Sequence, residues 1–165
     1  MSRRSTVFFR LLFLIAYLAG TPPSILYGQV SLRDKIGQML MLGFSGSTLD
    51  DTIRTDLATR NLGGVILMGG NCLSPQQIRQ LTASINTAAT TPPFIATDQE
   101  GGLVARLNLN NGYAKTYTEY QLGSYFASLD STSAQATRMA GWMSDAGMSV
   151  DLAPVVDVDV NPSSP

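Results

Sequence analysis

The chain has 165 residues, with 11 Lys and Arg against 12 Asp and Glu, a formal charge of −1, one cysteine and no histidine. A lone cysteine excludes an intrachain disulfide framework and a cysteine-rich zinc site. The missing imidazole excludes a Ser-His-Asp or Cys-His device assembled from this chain alone. The length allows one domain with a real core.

The first 28 residues carry Arg3, Arg4 and Arg10 and no acid, then the apolar run Leu11–Ala19, then Gly20, Pro22 and Pro23. This is the pattern of a secretory signal peptide. The run is shorter than the ~20 apolar residues that a mature spanning helix needs. Cleavage is expected near Gly28-Gln29, with Leu26 departing from the small residue preferred there, and no cysteine follows the run to mark a lipoprotein. Without the three arginines, eight basic residues face twelve acidic ones, a formal charge of −4. That balance argues against nucleic acid or an anionic membrane surface as partner, and the expected location is periplasmic or extracellular.

Residues 29–165 alternate helix and strand signals. Ser31 caps a helix with Leu32, Ile36 and Met39 on one face and Asp34 near its positive end, and Met39–Phe44 reads as a strand. Asp50 opens a second helix with Ile53 and Leu57 on one side, ended by Gly63-Gly64 before the strand Val65–Met68. Cys72, after the turn Gly69-Gly70-Asn71, reads as a small residue beside a loop, with nothing in the sequence to depress its thiol pKa. Ser74 as N-cap, Pro75 and Gln77 form a capping box, the clearest helix start, followed by Ile78, Leu81 and Ile85 on one stripe.

Behind Pro92-Pro93, Phe94 to Ala96 is a short apolar run that suits a strand buried on both faces, and the polar residues from Asp98 mark its exit from the core. In a parallel α/β architecture ligands bind outside the carboxyl ends of strands, which places Asp98 at a site. Gly101-Gly102 lets the backbone turn close to a ligand, and Arg106 lies near enough in sequence to return to the same mouth. Asn108, Asn110, Asn111 and Gly112 form a polar rim loop. Tyr113, Tyr117, Tyr120 and Tyr125 read mainly as packing, with stacking on a sugar face as the alternative. A helix over 133–146 presents Ala136, Ala140 and Met143, with Gly147 at its C′ position, and Val150–Val156 is the fourth strand.

This order predicts a parallel sheet with right-handed crossovers. A doubly wound open sheet and half of an eight-stranded barrel both satisfy it. Neither a G-x-G-x-x-G turn nor a Walker loop is present, so a nucleotide fold lacks its usual chemistry.

The segment ATDQEGGLVARL at residues 96–107 resembles the motif of glycoside hydrolase family 3, in its β-N-acetylglucosaminidase branch. KIGQMLMLGF at Lys35–Phe44, LGGVILMGGN at Leu62–Asn71 and GMSVDLAPVVDVDVNP at Gly147–Pro162 resemble the family in order and spacing. The resemblance implies an α/β fold in which residues 29–165 are the amino-terminal half, about four βα units, of a (β/α)8 barrel of the TIM type, and hence a fragment. It implies hydrolysis of β-linked N-acetylhexosamine with retention, on peptidoglycan or chitin-type glycans. It also implies that Asp98 and Arg106 hold sugar hydroxyls, while the aspartate nucleophile and the histidine and aspartate acid/base lie in later loops with no match here. Leu103 departs from the arginine often found there.

From the residues alone, Asp98, Glu100, Asp157 and Asp159 are the carboxylates at strand ends, and a retaining glycosidase needs two carboxyl groups ~5–5.5 Å apart. Asp98 and Glu100 on one short segment crowd one side of a sugar rather than flank its bond. Asp98 is therefore read as a hydroxyl acceptor, or else as a turn cap, and Arg106 as a donor to substrate or as an ion pair orienting a carboxylate. Gln99 and Glu100 brace the loop. Asp157 is read equally as a substrate-binding residue and a structural acceptor. No catalytic residue, metal ligand or cofactor is expected in this chain. Two functions remain, an exported β-N-acetylhexosaminidase seen through its amino-terminal part and a truncated, non-catalytic sugar-binding domain. The oligomeric state is left open.

Overall fold

A computed structural model of the protein describes residues 30–157 and residue 160. The leader pattern and Asp159 lie outside them. Helix α1 (Leu32–Gln38) leads into β1 (Met41–Gly43), α2 (Asp51–Arg60) into β2 (Gly64–Leu67), and α3 (Pro75–Ala88) into β3 (Phe94–Thr97). A hairpin of β4 (Gln99–Gly101) and β5 (Val104–Ala105) follows, and α4 (Leu129–Asp145) leads into β6 (Val150–Asp151). Among the described residues no helix is long and apolar enough to cross a membrane.

The main sheet has four parallel strands in the order β1-β2-β3-β6. Val65 pairs with Ile95, and Thr97 with Asp151. Each new strand joins the same edge, so there is no reversal of order of the kind that defines a doubly wound sheet. The arrangement is one arc of a (β/α)8-type fold. Leu57, Leu62, Val65, Leu67, Ile78, Ile85, Ile95 and Leu107 are all 2% exposed or less and fill the space between helices and sheet. Each such side chain contributes roughly 1.5–3 kcal/mol by leaving water.

Helix starts follow the capping residues. The Asp50 carboxylate accepts from the Ile53 N–H at 2.9 Å and begins α2. Ser74 Oγ accepts from the Gln77 N–H at 3.2 Å and begins α3. The Gln77 side chain does not close a box on Ser74, however. Its Oε1 accepts from the Leu73 N–H at 2.9 Å, and its Nε2 donates to the Ser47 and Asn71 carbonyls, tying two loops to the helix.

Other boundaries differ from the sequence reading. α2 stops at Arg60, where Asn61 takes the left-handed conformation at φ 51°, before the glycine pair is reached. The expected stripe Leu32, Ile36, Met39 is exposed; α1 instead packs Gly37 against the Arg60–Asn61 backbone. Phe94 is also exposed, so β3 is covered only from Ile95 onward. α4 begins at Leu129 rather than Ser133, because Ser128 supplies the cap to the Ser131 N–H. Its buried face is Gln135, Met139 and Met143, with Ala136 and Ala140 exposed. Gly147 (φ 76°) donates to the Ser144 carbonyl and Met148 to that of Met143, the paired bonds of a Schellman stop.

The fourth strand is the largest correction: β6 spans Val150–Asp151, not Val150–Val156. The Leu152 N–H donates to the Thr97 carbonyl at 2.9 Å, and Pro154 soon follows with no N–H to extend a ladder.

Candidate substrate site at the ends of β3 and β6

Asp98 follows the last residue of β3, and the chain there turns from the sheet into the hairpin. Its Oδ2 accepts from Arg106 Nη2 at 2.9 Å, with side-chain exposures of 21% for Asp98 and 27% for Arg106. The pair is thus held inside the mouth yet reachable from it. Arg106 Nε is buried with no hydrogen-bond partner among the described residues, so the protein does not use the whole guanidinium fork.

The pair rides on a clamp one residue away. Gln99, fully buried, accepts from the Leu107 N–H at 2.8 Å through Oε1 and donates to the Leu107 carbonyl at 3.0 Å through Nε2. Because Asp98 precedes Gln99 and Arg106 precedes Leu107, this two-way bond fixes their separation. Gln99 therefore braces the loop, as its sequence position implies. Glu100 has different neighbours: it lines a groove with Glu119, Gln135, Met139, Met143 and Asp151 along α4 and the edge of the sheet.

The glycine pair makes room for the chain's own backbone. Gly101 (φ 105°) and Gly102 (φ 59°) are in the left-handed half of backbone space, and a Cβ on either would collide with the Tyr117–Thr118 segment. The Gly102 N–H donates to Thr116 Oγ1 at 3.1 Å. Gln135 on α4 grips Tyr117 from both sides, accepting from its N–H and donating to its carbonyl, each at 2.8 Å. The hairpin is thereby fastened through Tyr117 to α4.

Two asparagines tie the neighbouring loops together. Asn71 is 1% exposed; its Oδ1 accepts from the Met68 N–H, and its Nδ2 donates to the Phe44 and Gly46 carbonyls. Asn111 Nδ2 donates to the carbonyls of Arg106 at 2.6 Å and Cys72 at 3.1 Å. Cys72 is itself 4% exposed, and burial pushes its thiol up to about 11, with the Arg106 charge acting in the opposite sense. The tyrosines divide. Tyr113 packs on Trp142 with ring centroids 5.5 Å apart and Tyr117 on Phe126 at 4.7 Å, whereas Tyr120 and Tyr125 are exposed and meet edge to face at 6.0 Å.

Asp157, expected at the end of the fourth strand, lies beyond that end and is exposed. The strand-end position belongs to Asp151, the second residue of the strand expected over Val150–Val156. Asp151 Oδ1 accepts from the Gln99 N–H at 3.0 Å. Burial raises its carboxyl above the ordinary range, the Gln99 bond opposes that, and the nearby Asp98 charge reinforces it. The missed signal was Pro154, which already argued for a shorter strand. Among the described residues no three His, Cys, Asp or Glu side chains come together as a metal-ligand set.

Residues 31–165 match the glycosyl hydrolase family 3 N-terminal domain. The chain belongs to that family. It is 37% identical over 130 residues to a β-hexosaminidase of Nitrosomonas eutropha, covering 76% of this chain and 37% of that protein. A family 3 β-N-acetylglucosaminidase structure from a Paenibacillus species superposes with a TM-score of 0.77 at 29% identity, over 82% of this chain and 26% of that one. A β-N-acetylhexosaminidase structure from Beutenbergia cavernae gives a TM-score of 0.68 at 28% identity, over 79% and 39% of the two chains. The chain thus spans little more than a third of the curated relative it matches, and the family's N-terminal domain is a (β/α)8-type fold.

Proposed function

We propose that this chain is the substrate-holding part of an exported, retaining glycoside hydrolase that releases β-linked N-acetylglucosamine from peptidoglycan or chitin-type glycans. The observation that carries this reading is the ion pair between Asp98, at the carboxyl end of β3, and Arg106, just after β5. Arg106 holds Asp98 through Oδ2, which leaves Oδ1 to accept from sugar hydroxyls and the second guanidinium NH2 to donate to them. Asp157, exposed on the segment leaving β6, is proposed as a further substrate contact. The nucleophile and the acid/base belong to later loops, as the family resemblance implies. Export is supported by the leader pattern, and a carbohydrate partner by the names of the relatives.

The test is Asp98→Asn in the full-length protein. The amide keeps the shape but loses charge-assisted bonds worth ~1.5–3 kcal/mol each, and its NH2 meets a donor. Such contacts tighten as the ring flattens toward an oxocarbenium-like state. On an aryl β-N-acetylglucosaminide, kcat/KM should therefore fall by roughly two to four powers of ten, partly in kcat, with the melting temperature nearly unchanged. A destabilised variant with intact kcat/KM removes Asp98 from the substrate site. Saturable N-acetylglucosamine binding by the unmutated full-length protein without turnover would establish the sugar-binding reading instead.

A further inference from the structure

We propose that Asp151 is a positioning residue for the substrate site: its carboxylate takes over the end of the β3–β6 ladder and sets the orientation of Asp98. This rests on the reading of Asp98 as a substrate contact. In a parallel ladder the bonds alternate regularly along the strands. Thr97 pairs with Asp151, and the Thr97 carbonyl accepts from the Leu152 N–H at 2.9 Å. The next N–H on the β3 side is that of Gln99, which in a continued ladder would seek a main-chain carbonyl of the neighbouring strand. It donates instead to Asp151 Oδ1 at 3.0 Å.

A side chain thus replaces a carbonyl at the point where the two strands part. That bond fixes the peptide plane joining Asp98 to Gln99, and with it the direction in which Asp98 leaves the backbone. The Gln99–Leu107 clamp acts from the other side, so the peptide after Asp98 is held at both its main-chain N–H and its following side chain. Arg106 then meets Asp98 on a fixed frame. The bond needs an acceptor at Oδ1, not a charge.

The test uses the full-length protein with Asp151→Asn, Asp151→Leu, Asp98→Asn and the Asp98→Asn/Asp151→Leu double variant. Asp151→Asn keeps the acceptor and should hold kcat/KM within about threefold. Asp151→Leu loses it and should lower kcat/KM by about 10- to 100-fold. In the Asp98→Asn background that further loss should nearly vanish, because both substitutions then damage the same contact. Hydrogen exchange across residues 98–107 gives a second readout. Protection should persist in Asp151→Asn and fall in Asp151→Leu, even if the latter proves too unstable for kinetics.

A full additional loss in the double variant, normal kinetics in a folded Asp151→Leu, or unchanged exchange in Asp151→Leu would each overturn the positioning role. Near-normal kinetics in Asp98→Asn would remove the substrate reading and the positioning role together. An impaired Asp98→Asn beside a normal Asp151→Leu would leave the substrate reading standing and remove the positioning role alone.

Discussion

Cys72 shows how far one residue can be read. Its position after Gly69-Gly70-Asn71 indicates a small residue beside a loop, and the structure adds that it is 4% exposed with its carbonyl held by Asn111. Sequence could not reveal that Arg106 stands close enough to pull the thiol pKa downward, since the two meet only through the folded loop. Burial wins, and the thiol rests at about 11. At pH 8 roughly one molecule in 10³ is then thiolate, against about one in four for a free cysteine. A disulfide reagent at pH 8 should leave the folded protein unlabelled and react stoichiometrically in denaturant. Labelling of the folded protein at the rate of free cysteine would show that the loop opens far more readily than its hydrogen bonds imply. The same contrast separates Asp98 and Arg106, legible as a pair from their spacing, from Asp151, which acquires its role only where a neighbouring strand stops.

At the scale of elements, boundaries with a strong local signal are legible at either end, as at Ser74, Asp50 and Gly147, whereas the start of α4 at Leu129 is not. Ser74 and Asp50 announce helices because a cap is a local interaction within four residues. β6 ends early and α2 ends at a left-handed Asn61, because strand partners and tertiary contacts decide those points. Gly101-Gly102 was legible as a turn, but its cause is the Tyr117–Thr118 segment packed against it. Gly101→Ala is therefore a test of the hairpin. An alanine at φ 105° costs ~1–3 kcal/mol in backbone strain, and its Cβ must also displace the Tyr117 carbonyl that Gln135 grips. The full-length variant should melt several degrees lower, since about 1 kcal/mol shifts Tm by roughly 2–4 °C in a domain of about 150–250 residues. Its KM should rise as the hairpin carrying Arg106 shifts. A melting temperature within one degree of the parent's would mean that the Tyr117 segment yields freely and does not brace the site.

Over the whole molecule, the sheet has two edges with nothing paired to them among the described residues. β1 is exposed along its length, including Met41 and Leu42, and β6 is partly exposed beside the groove lined by Met139 and Met143. Unpaired strand edges next to apolar surface are templates for association, and a closed barrel removes them. On the proposed reading Asp98 and Arg106 hold a sugar without breaking its bond, since the family resemblance implies that the nucleophile and acid/base lie in later loops. The 165-residue chain expressed by itself should therefore self-associate in light scattering at micromolar concentration. It should give no saturable turnover of an aryl β-N-acetylglucosaminide, whereas the full-length protein is expected both to bind and to hydrolyse it. A monomeric chain that unfolds cooperatively and hydrolyses the substrate would contradict both halves of this prediction. In that case Glu100, which lines the groove with Asp151, and Asp98 would have to be tested as the catalytic carboxyl pair.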